Sequence, residues 1–209
     1  MLFNFSLVSK RSTKTQPSRG FGLVELMVSI SIMTLVTTVI LVKNRSFNNA
    51  LLLRNQAYEI AFSLRQAQLL AVSGTREVGA TSNQYGIHFD VSASPANGRY
   101  RLFRDGGSGN PNPGWYSASD DSPIGTLGML DSRYIIQDIV DSGDNSLGDE
   151  LSITFVRPNF DALFRTSPGA GGVETGPVYL KVTPKDTSGY SVLPSRLVEI
   201  TSTGQISVK

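Results

Sequence analysis

The sequence contains no cysteine and only one histidine among its 209 residues. Without cysteine the chain has no disulfide framework, no thiolate nucleophile and no cysteine-ligated metal site. The single histidine, His88, lies in an alternating stretch beside Phe89, which argues against a hydrolytic triad or a histidine-rich metal site. We interpret His88 as a strand-surface residue. A fold without disulfides must be held by its own hydrophobic core.

Motifs for phosphate chemistry are missing as well. The glycine-rich segment at residues 169–172 lacks the Lys-Ser/Thr pair with which a P-loop binds phosphate and magnesium. The sequence therefore gives no reason to expect an enzyme or a cofactor.

Acidic residues are absent from the first 20 positions, which contain Lys10, Arg11, Lys14 and Arg19. The chain has 19 basic and 17 acidic residues in total, so 15 basic residues and all 17 acidic residues follow Gly20. The basic character therefore belongs to the N-terminal tail. A slightly acidic body argues against broad electrostatic capture of nucleic acid.

A long apolar run follows this tail, and from Phe21 to Val42 its only charged residue is Glu25. A helix over this run spans about 33 Å at a rise of about 1.5 Å per residue, enough to cross a bilayer's hydrocarbon core. A carboxylate costs about 2.5 to 3.5 kcal/mol at the bilayer centre, so Glu25 needs a functional explanation. One alternative is a carboxylate that snorkels from an ordinary single-span anchor.

The junction Gly20-Phe21, the glutamate at position 25, the basic tail and the apolar helix together resemble the signal of type IV prepilins and type II secretion pseudopilins. The resemblance implies that a prepilin peptidase and methyltransferase cuts between Gly20 and Phe21 and methylates Phe21. It also implies that Glu25 neutralises the N-terminal amine of a neighbouring subunit during filament assembly on an inner-membrane platform. Gly22 departs from the threonine common at this position in the family, and Val42 from the helix-kinking proline of many major pilins.

The charge distribution predicts the orientation of the anchor. Four basic residues precede the apolar run, against Lys43 and Arg45 after it, so the positive-inside rule favours a cytoplasmic N-terminus in the inner membrane. The C-terminal region would then be exported, in a periplasmic or cell-surface filament. We predict a structural subunit, a minor pilin or pseudopilin; the alternatives are a DNA-binding competence pilin and a single-span membrane-anchored binding module.

After residue 43 the apolar pattern becomes that of an amphipathic helix. A 3-4 spacing predicts one buried stripe, and four larger residues are predicted to broaden it. Without proline or an interior glycine from Leu23 onward, one helix is expected from Phe21 to Ser73, with Gly74 as its C-cap. The stripe comprises Ala50, Leu53, Ala57, Ile60, Leu64, Ala67 and Ala71, and the broadening residues are Leu51, Tyr58, Phe62 and Leu69.

The region after Gly74 alternates with period two, which predicts strands. Residues 84–91 and 99–104 form a predicted hairpin with turn chemistry at residues 95–98, and this pair resembles the first hairpin of minor pseudopilin H and FimT-like proteins. Residues 196–200 and 206–208 form a predicted terminal hairpin, and further strand-like segments occur at 127–130, 134–140, 151–156 and 178–182. We predict an α+β fold with a leader at 1–20, a membrane and assembly helix at 21–42, its amphipathic continuation at 43–74, and a β-rich domain at 75–209.

Three sets of residues remain as weaker candidates. Asp141, Asp144 and Asp149 offer hard oxygen ligands for calcium, but their spacing does not match an EF-hand, which favours a solvated loop. Arg196 and Lys209 are the candidates for DNA contact in the terminal hairpin, too few for a clustered positive face. Trp115-Tyr116, within a loop predicted at 105–123, is interpreted as a hydrophobic plug rather than an exposed stacking pair.

Overall fold

The computed structural model of the chain describes residues 20–73, 84–92, 98–106, 113–156, 160–169, 173–186, 188 and 194–209. The predicted leader up to Arg19, the predicted C-cap at Gly74 and the predicted turn at residues 95–97 lie outside these ranges.

One helix precedes ten strands in the described parts of the chain, and this order confirms the predicted α+β class. The helix α1 spans Leu23–Ser73, two residues shorter at its start than predicted. The strands are β1 Tyr85–Asp90, β2 Arg99–Arg104, β3 Ser122–Met129, β4 Tyr134–Val140, β5 Glu150–Val156, β6 Asp161–Arg165, β7 Val173–Glu174, β8 Val178–Pro184, β9 Arg196–Ile200 and β10 Ile206–Val208.

The chain separates into two compact units between Arg45 and Ser46, within α1. The helix contains neither proline nor glycine, so every interior amide can donate to the carbonyl four residues before it. Helical structure is present on both sides of this boundary, as predicted.

The strands form two antiparallel sheets. The first has six strands in the order β3-β2-β1-β5-β6-β7, and the second has four in the order β10-β9-β8-β4. The pairing of β1 with β2, from Tyr85 opposite Arg104 to Asp90 opposite Arg99, confirms the first predicted hairpin. The pairing of β9 with β10 confirms the terminal one. Along the chain, β1 to β3 belong to the six-stranded sheet and β4 to the four-stranded one. The strands β5 to β7 return to the six-stranded sheet, and β8 to β10 complete the four-stranded one.

Three strands differ from the sequence prediction. β3 begins at Ser122, inside the predicted loop at 105–123, and β6 and β7 were not predicted. β3 contains Pro123 and Gly125, whose φ of +70° suits glycine, and its register against β2 shifts between Tyr100 and Leu102. These turn-type residues lie on an edge strand, where proline and bulges are tolerated and where they discourage further strand pairing.

The core of the second unit lies between the later half of α1 and the inner faces of both sheets. Ile60 and Leu64 of the helix are fully buried, as are Ile87 and Phe89 of β1 and Leu180 of β8. The alternation of β1 places Gly86 on its other face, where an added Cβ would lie 2.5 Å from the Ile153 carbonyl oxygen. Glycine is therefore required at this close approach of two strands.

Candidate functional site

The predicted processing junction lies immediately before the helix. Gly20, Phe21 and Gly22 precede α1 and are exposed, and a Cβ added to either glycine would meet nothing within 4 Å. The first helical bond to this segment runs from the Leu26 amide to the Gly22 carbonyl, at 3.1 Å. The Gly20-Phe21 peptide thus lies in an open, non-helical segment, the form in which a peptidase can bind a chain.

Glu25 lies in the first turn of α1, and its side chain is exposed. Unpaired amides at a helix N-terminus carry partial positive charge, which favours a carboxylate at this position. The structure places the predicted assembly residue four positions after the predicted new N-terminus at Phe21.

The first part of α1 is suited to an apolar environment. Leu23–Leu41 is long and apolar enough to cross a membrane, and none of it is buried within the chain. Its hydroxyl side chains donate to the carbonyl four residues earlier, as Ser31 does to Met27 at 2.8 Å and Thr37 to Met33 at 2.7 Å. Because these donors are paired within the helix, they do not raise the cost of burying it in lipid or protein.

The later half of α1 is fixed in rotation by contacts with the β domain. The Gln56 Oε1 atom accepts a hydrogen bond from the Asp131 amide at 2.8 Å, and the Gln68 Nε2 atom donates to the Gly204 carbonyl at 3.0 Å. The predicted stripe is buried at Leu53, Ala57, Ile60, Leu64, Ala67 and Ala71, whereas Ala50 is exposed. The inward face of the helix is therefore largely as predicted.

The four residues predicted to broaden this stripe do not belong to it. Leu51, Tyr58, Phe62 and Leu69 are between 40% and 69% exposed. They are separated by seven, four and seven positions, which places them on one helical face. We call this set the outward stripe. The prediction was wrong because hydrophobicity marks both faces, and only one of them packs on this chain's own sheets.

A comparison with protein families decides the nature of the N-terminal segment. Residues 16–41 match the family model described as the prokaryotic N-terminal methylation motif. This chain carries a type IV pilin and pseudopilin signal. The matched residues include Gly20, Phe21 and Glu25, and they end where the membrane-compatible part of α1 ends. No curated protein and no solved structure matches the chain.

The methylation motif has a direct biochemical meaning. It marks a type IV pilin-like or pseudopilin-like substrate of prepilin peptidase, and the helix followed by antiparallel sheets is a pilin-like α+β architecture. The motif is that of structural proteins rather than of an enzyme family. The described residues contain one helix long and apolar enough to cross a membrane, which fits a membrane anchor of a prepilin-type protein.

The acidic loop after β4 is organised by its own backbone. The Asn145 Nδ2 atom donates to Asp141 Oδ2 at 3.0 Å, and the amides of Asn145 and Gly143 donate to Oδ1 at 2.9 and 2.7 Å. The side-chain bond from Asn145, followed by the amide bonds, lowers the pKa of the carboxyl. Asp144 has a positive φ of 60°, and the Asp149 carbonyl accepts from the Val91 amide. The described residues contain no group of three or more His, Cys, Asp or Glu side chains placed to hold a metal ion.

The two candidate DNA contacts lie at neighbouring strands of the second sheet, but the alternation of β9 directs their side chains to opposite faces. Arg196 begins β9, and Lys209 pairs through its backbone with the neighbouring Leu197. The Lys209 Nζ atom lies 2.9 Å from Glu199 Oε1, which raises the pKa of the lysine and lowers that of the carboxyl. Because this ion pair cancels one of the two charges locally, the terminal hairpin presents little net positive charge to a phosphate backbone.

The outer face of the six-stranded sheet carries a cover that the sequence predicted only in part. Trp115 is buried, as expected of a plug, and its ring meets the His88 ring edge-on with centroids 5.2 Å apart. The Tyr116 amide and His88 Nδ1 both bond to Ser152 Oγ, at 3.1 and 2.8 Å. The interpretation of His88 as a strand-surface residue was wrong, because residues 113–121 lie over it and leave its side chain 12% exposed.

Two buried carboxylates hold this cover in place. Asp105 accepts from the Gly114 amide at 3.0 Å, and Asp121 accepts from the amides of Gly106 at 2.8 Å and Ser117 at 2.7 Å. Burial raises the pKa of Asp121, although the two amide donors act in the opposite direction. Neither aspartate stands out by sequence spacing, so the sequence offered no signal for this arrangement.

A polar cleft of about 230 Å³ opens beside the cover. Its floor is formed by two cross-strand pairs, His88 opposite Arg101 and Asp90 opposite Arg99. Tyr116 belongs to the lining, and its hydroxyl accepts a hydrogen bond from Arg101 Nη1 at 3.0 Å. The alternation of β1 and β2 could have predicted that these side chains share a face, but not that a loop would enclose them.

Proposed function

We propose that this protein is a structural subunit of a type IV pilus or type II secretion filament, assembled through α1 after its leader is removed. The outward stripe carries this proposal. A membrane anchor needs apolar residues only within the bilayer, whereas a subunit whose helix enters a bundle needs them beyond it as well.

The energetics favour a protein partner for the outward stripe. Burying a leucine or phenylalanine side chain contributes about 1.5 to 3 kcal/mol relative to leaving it in water. Phe62 and Leu69 are 69% and 68% exposed, so most of this contribution is available for association. Burial against the helices of neighbouring filament subunits would cover this face, through a head-to-tail contact that need not place the same residue on both sides.

Processing at the junction supplies the second element of the proposal. Cleavage between Gly20 and Phe21 would create an N-terminal amine, which methylation of Phe21 leaves able to carry positive charge. Glu25 of a neighbouring subunit would pair with it, because a charge is tolerated in apolar surroundings when it is paired. The exposure of both groups supports this role.

The same proposal assigns the four segments of the chain. Residues 1–20 are the cleaved leader, 21–42 the membrane and assembly helix, 43–74 its amphipathic continuation and 75–209 the exported β domain. The N-terminus faces the cytoplasm before assembly, the inner-membrane platform inserts the helix, and the β domain lies in the periplasm or at the cell surface. The first hairpin supports a minor pilin or pseudopilin rather than a major one.

The absence of cysteine makes the assembly role directly testable. Leu69→Cys places one thiol on the outward stripe, and Leu163→Cys places one on an exposed leucine of β6 as a matched control. A maleimide should label the Leu69→Cys thiol much more slowly in isolated filaments than in the unassembled protein, whereas the Leu163→Cys thiol should be labelled at similar rates in both. Equal labelling of Leu69→Cys in filaments and in the unassembled protein would contradict packing of this face against another subunit.

Processing and pairing are tested separately. The intact mass of membrane-associated protein, made with and without a prepilin peptidase, should show loss of residues 1–20 and one added methyl group only with the enzyme. Glu25→Ala should be processed normally yet reach filaments poorly, whereas Glu59→Ala, on the extramembrane part of the same helix, should assemble normally. Normal filament incorporation of Glu25→Ala would remove its assembly role.

A further inference from the structure

The cover at residues 113–121 is attached to the six-stranded sheet through a chain of three groups. The Tyr116 amide can only donate, so Ser152 Oγ accepts this hydrogen bond at 3.1 Å. The one hydrogen of the Ser152 hydroxyl is then left for His88 Nδ1, which lies 2.8 Å away. This relay from amide to hydroxyl to imidazole is complete only when Nδ1 carries no proton, so the hydrogen bonds assign the proton of the neutral ring to Nε2.

Protonation of His88 breaks this relay. With both ring nitrogens protonated, Nδ1 can only donate, and the Ser152 hydroxyl must accept from the ring and from Tyr116 at once. Ser152 is fully buried, and among the residues that the structure describes its Oγ atom bonds only to these two partners. The hydroxyl hydrogen would then be buried without an acceptor, which is costly. The closed cover therefore favours the neutral ring.

The charged groups around His88 do not offset this preference. Burial of the ring is the largest influence and lowers its pKa to about 4, while Asp90 on the same strand raises the pKa and Arg101 of β2 lowers it. Glu150 of β5 lies 3.9 Å from Nε2, beyond hydrogen-bond distance. The cover faces the ring with Tyr116, whose hydroxyl accepts from Arg101. Geometry and electrostatics thus act in the same direction.

The cover has few attachments compared with the strands beneath it. Besides the relay and the Tyr116 hydroxyl, Asp105 holds the Gly114 amide and Asp121 holds two amides. All six residues of β1, in contrast, pair with β2 on one side and with β5 on the other. Detaching the cover breaks a handful of bonds, whereas separating β1 breaks two ladders. Opening of the cover can therefore precede unfolding of the sheet.

We propose that the relay is a proton-sensitive latch: protonation of His88 releases residues 113–121 from the outer face of the six-stranded sheet while the strands stay paired. The closed cover buries Trp115, and it buries Phe103 beneath the Tyr116 ring, whose centroid lies 5.3 Å from that of Phe103. In mild acid the β domain exposes this aromatic surface, which it hides at neutral pH.

The test uses the full-length protein in a neutral detergent and two single cysteines, since the chain contains none. Thr154→Cys places a thiol on the buried outer face of β5 beneath the cover, where a Cβ added to Gly114 would lie 3.3 Å from Thr154 Oγ1. Ala162→Cys is the matched control, a buried site on the inner face of β6 opposite Phe155. The maleimide labelling rate of each variant is divided at each pH by its rate when unfolded in urea, which gives the opening equilibrium.

The relative rate for Thr154→Cys should rise about twentyfold from pH 7 to pH 5, the change expected when the histidine pKa moves from about 4 under the cover to about 6.5 after release. At pH 5 it should exceed that for Ala162→Cys at least about tenfold, because the core opens only when strands separate. A rise of less than about threefold overturns the latch. Equal relative rates of the two thiols at pH 5 also overturn it, since acid would then unfold the whole domain.

Two further changes, each made together with Thr154→Cys, assign the opening to the relay. His88→Gln should abolish the acceleration by acid, because the amide oxygen of glutamine can accept from Ser152 and takes no proton in this range. Ser152→Ala should raise labelling at pH 7 about tenfold, the effect of one lost hydrogen bond. Persistent acceleration in His88→Gln would assign the opening to Asp105 or Asp121 and overturn the latch, as would labelling of Ser152→Ala like that of its parent.

Hydrogen exchange of the Tyr116 amide measures the same opening in the parent protein without a substitution. Its protection factor should fall about twentyfold from pH 7 to pH 5 and stay below that of the Phe89 amide in β1; equal protection of the two amides at pH 5 overturns the local opening. This inference does not depend on the filament role. A protein whose Leu69→Cys thiol is shielded in filaments but whose cover does not open in acid retains the proposed function and loses the latch.

Discussion

Acidification from pH 7 to pH 5 should weaken the β domain through His88. Burial beneath residues 113–121 lowers the pKa of His88 to about 4, while the charge of Asp90 raises it and that of Arg101 lowers it by smaller amounts. Glu150 Oε2 lies 3.9 Å from His88 Nε2, too far for a hydrogen bond, so its attraction for a protonated ring does not offset burial. The ring is therefore neutral in the folded protein at neutral pH.

The sign and size of the effect follow from proton linkage. The unfolded chain has a histidine pKa of about 6.5, so between pH 6.5 and 4 it binds a proton that the folded state excludes. The contribution of neutral His88 is complete above this window and is lost as the pH falls through it. Between pH 7 and pH 5 the free energy of unfolding should fall by about 2 kcal/mol.

The assay uses a probe that the chain already contains. Trp115 is the only tryptophan and lies against His88, so its fluorescence follows release of the cover, while circular dichroism follows the whole fold. Urea unfolding at pH 7, 6 and 5 should show the loss in the parent protein. His88→Gln should be less stable throughout but should lose much less between pH 7 and pH 5. Equal pH dependence of the two proteins would refute the assignment to His88.

Three further changes test the packing that supports the proposed sites. Leu64→Ala should lower the free energy of unfolding, measured in urea, by about 2 to 5 kcal/mol, because Leu64 is fully buried between helix and sheet. Leu163→Ala, at an exposed leucine, is the control. A loss for Leu64→Ala of less than about 1 kcal/mol, or no larger than that of the control, would contradict this. Gly86→Ala should lose about 1 to 3 kcal/mol in the same assay, since its Cβ would meet the Ile153 carbonyl oxygen, and unchanged stability would show that the strands can separate. Asp105→Ala should release the cover, because the Gly114 amide loses its hydrogen-bond acceptor. Acrylamide should then quench the fluorescence of Trp115 faster than in the parent protein, with the circular dichroism unchanged. Quenching like that of the parent would show that the Asp105 contact does not hold the cover in place.

The sequence predicted most of what depends on local periodicity. The helix, both hairpins and the strands of the central core follow alternation or 3.6-residue spacing, and the structure confirms them at Leu53 to Ala71, at β1 and β2, and at β9 and β10. The methylation motif could also be recognised, because its glycine junction, its glutamate and its apolar run are consecutive in the chain. Local order and a contiguous signal are what a single sequence records well.

Features that depend on distant segments were missed. The outward stripe was assigned to the core because spacing cannot tell whether an apolar face packs on the same chain or on another. The cover over His88 unites Asp105, Trp115 and Ser152, which are joined only by the pairing of β1 with β2 and β5. The predicted loop at 105–123 includes the start of β3, and only residues 127–130 of this region are predicted as strand. Pro123 and Gly125 are turn residues, and the place of β3 at a sheet edge allows them in a strand.

The alternation of the chain between its two sheets makes the unfolding of one sheet depend on the other. Because the backbone crosses from one sheet to the other three times, neither sheet is a contiguous segment that could fold after excision. The strand β1 pairs with β2 and with β5, and β5 follows about 60 residues later in the chain, so this pairing closes a long loop. The β domain should therefore unfold in one cooperative transition, and a protease that cuts any of the three crossings should release no folded half.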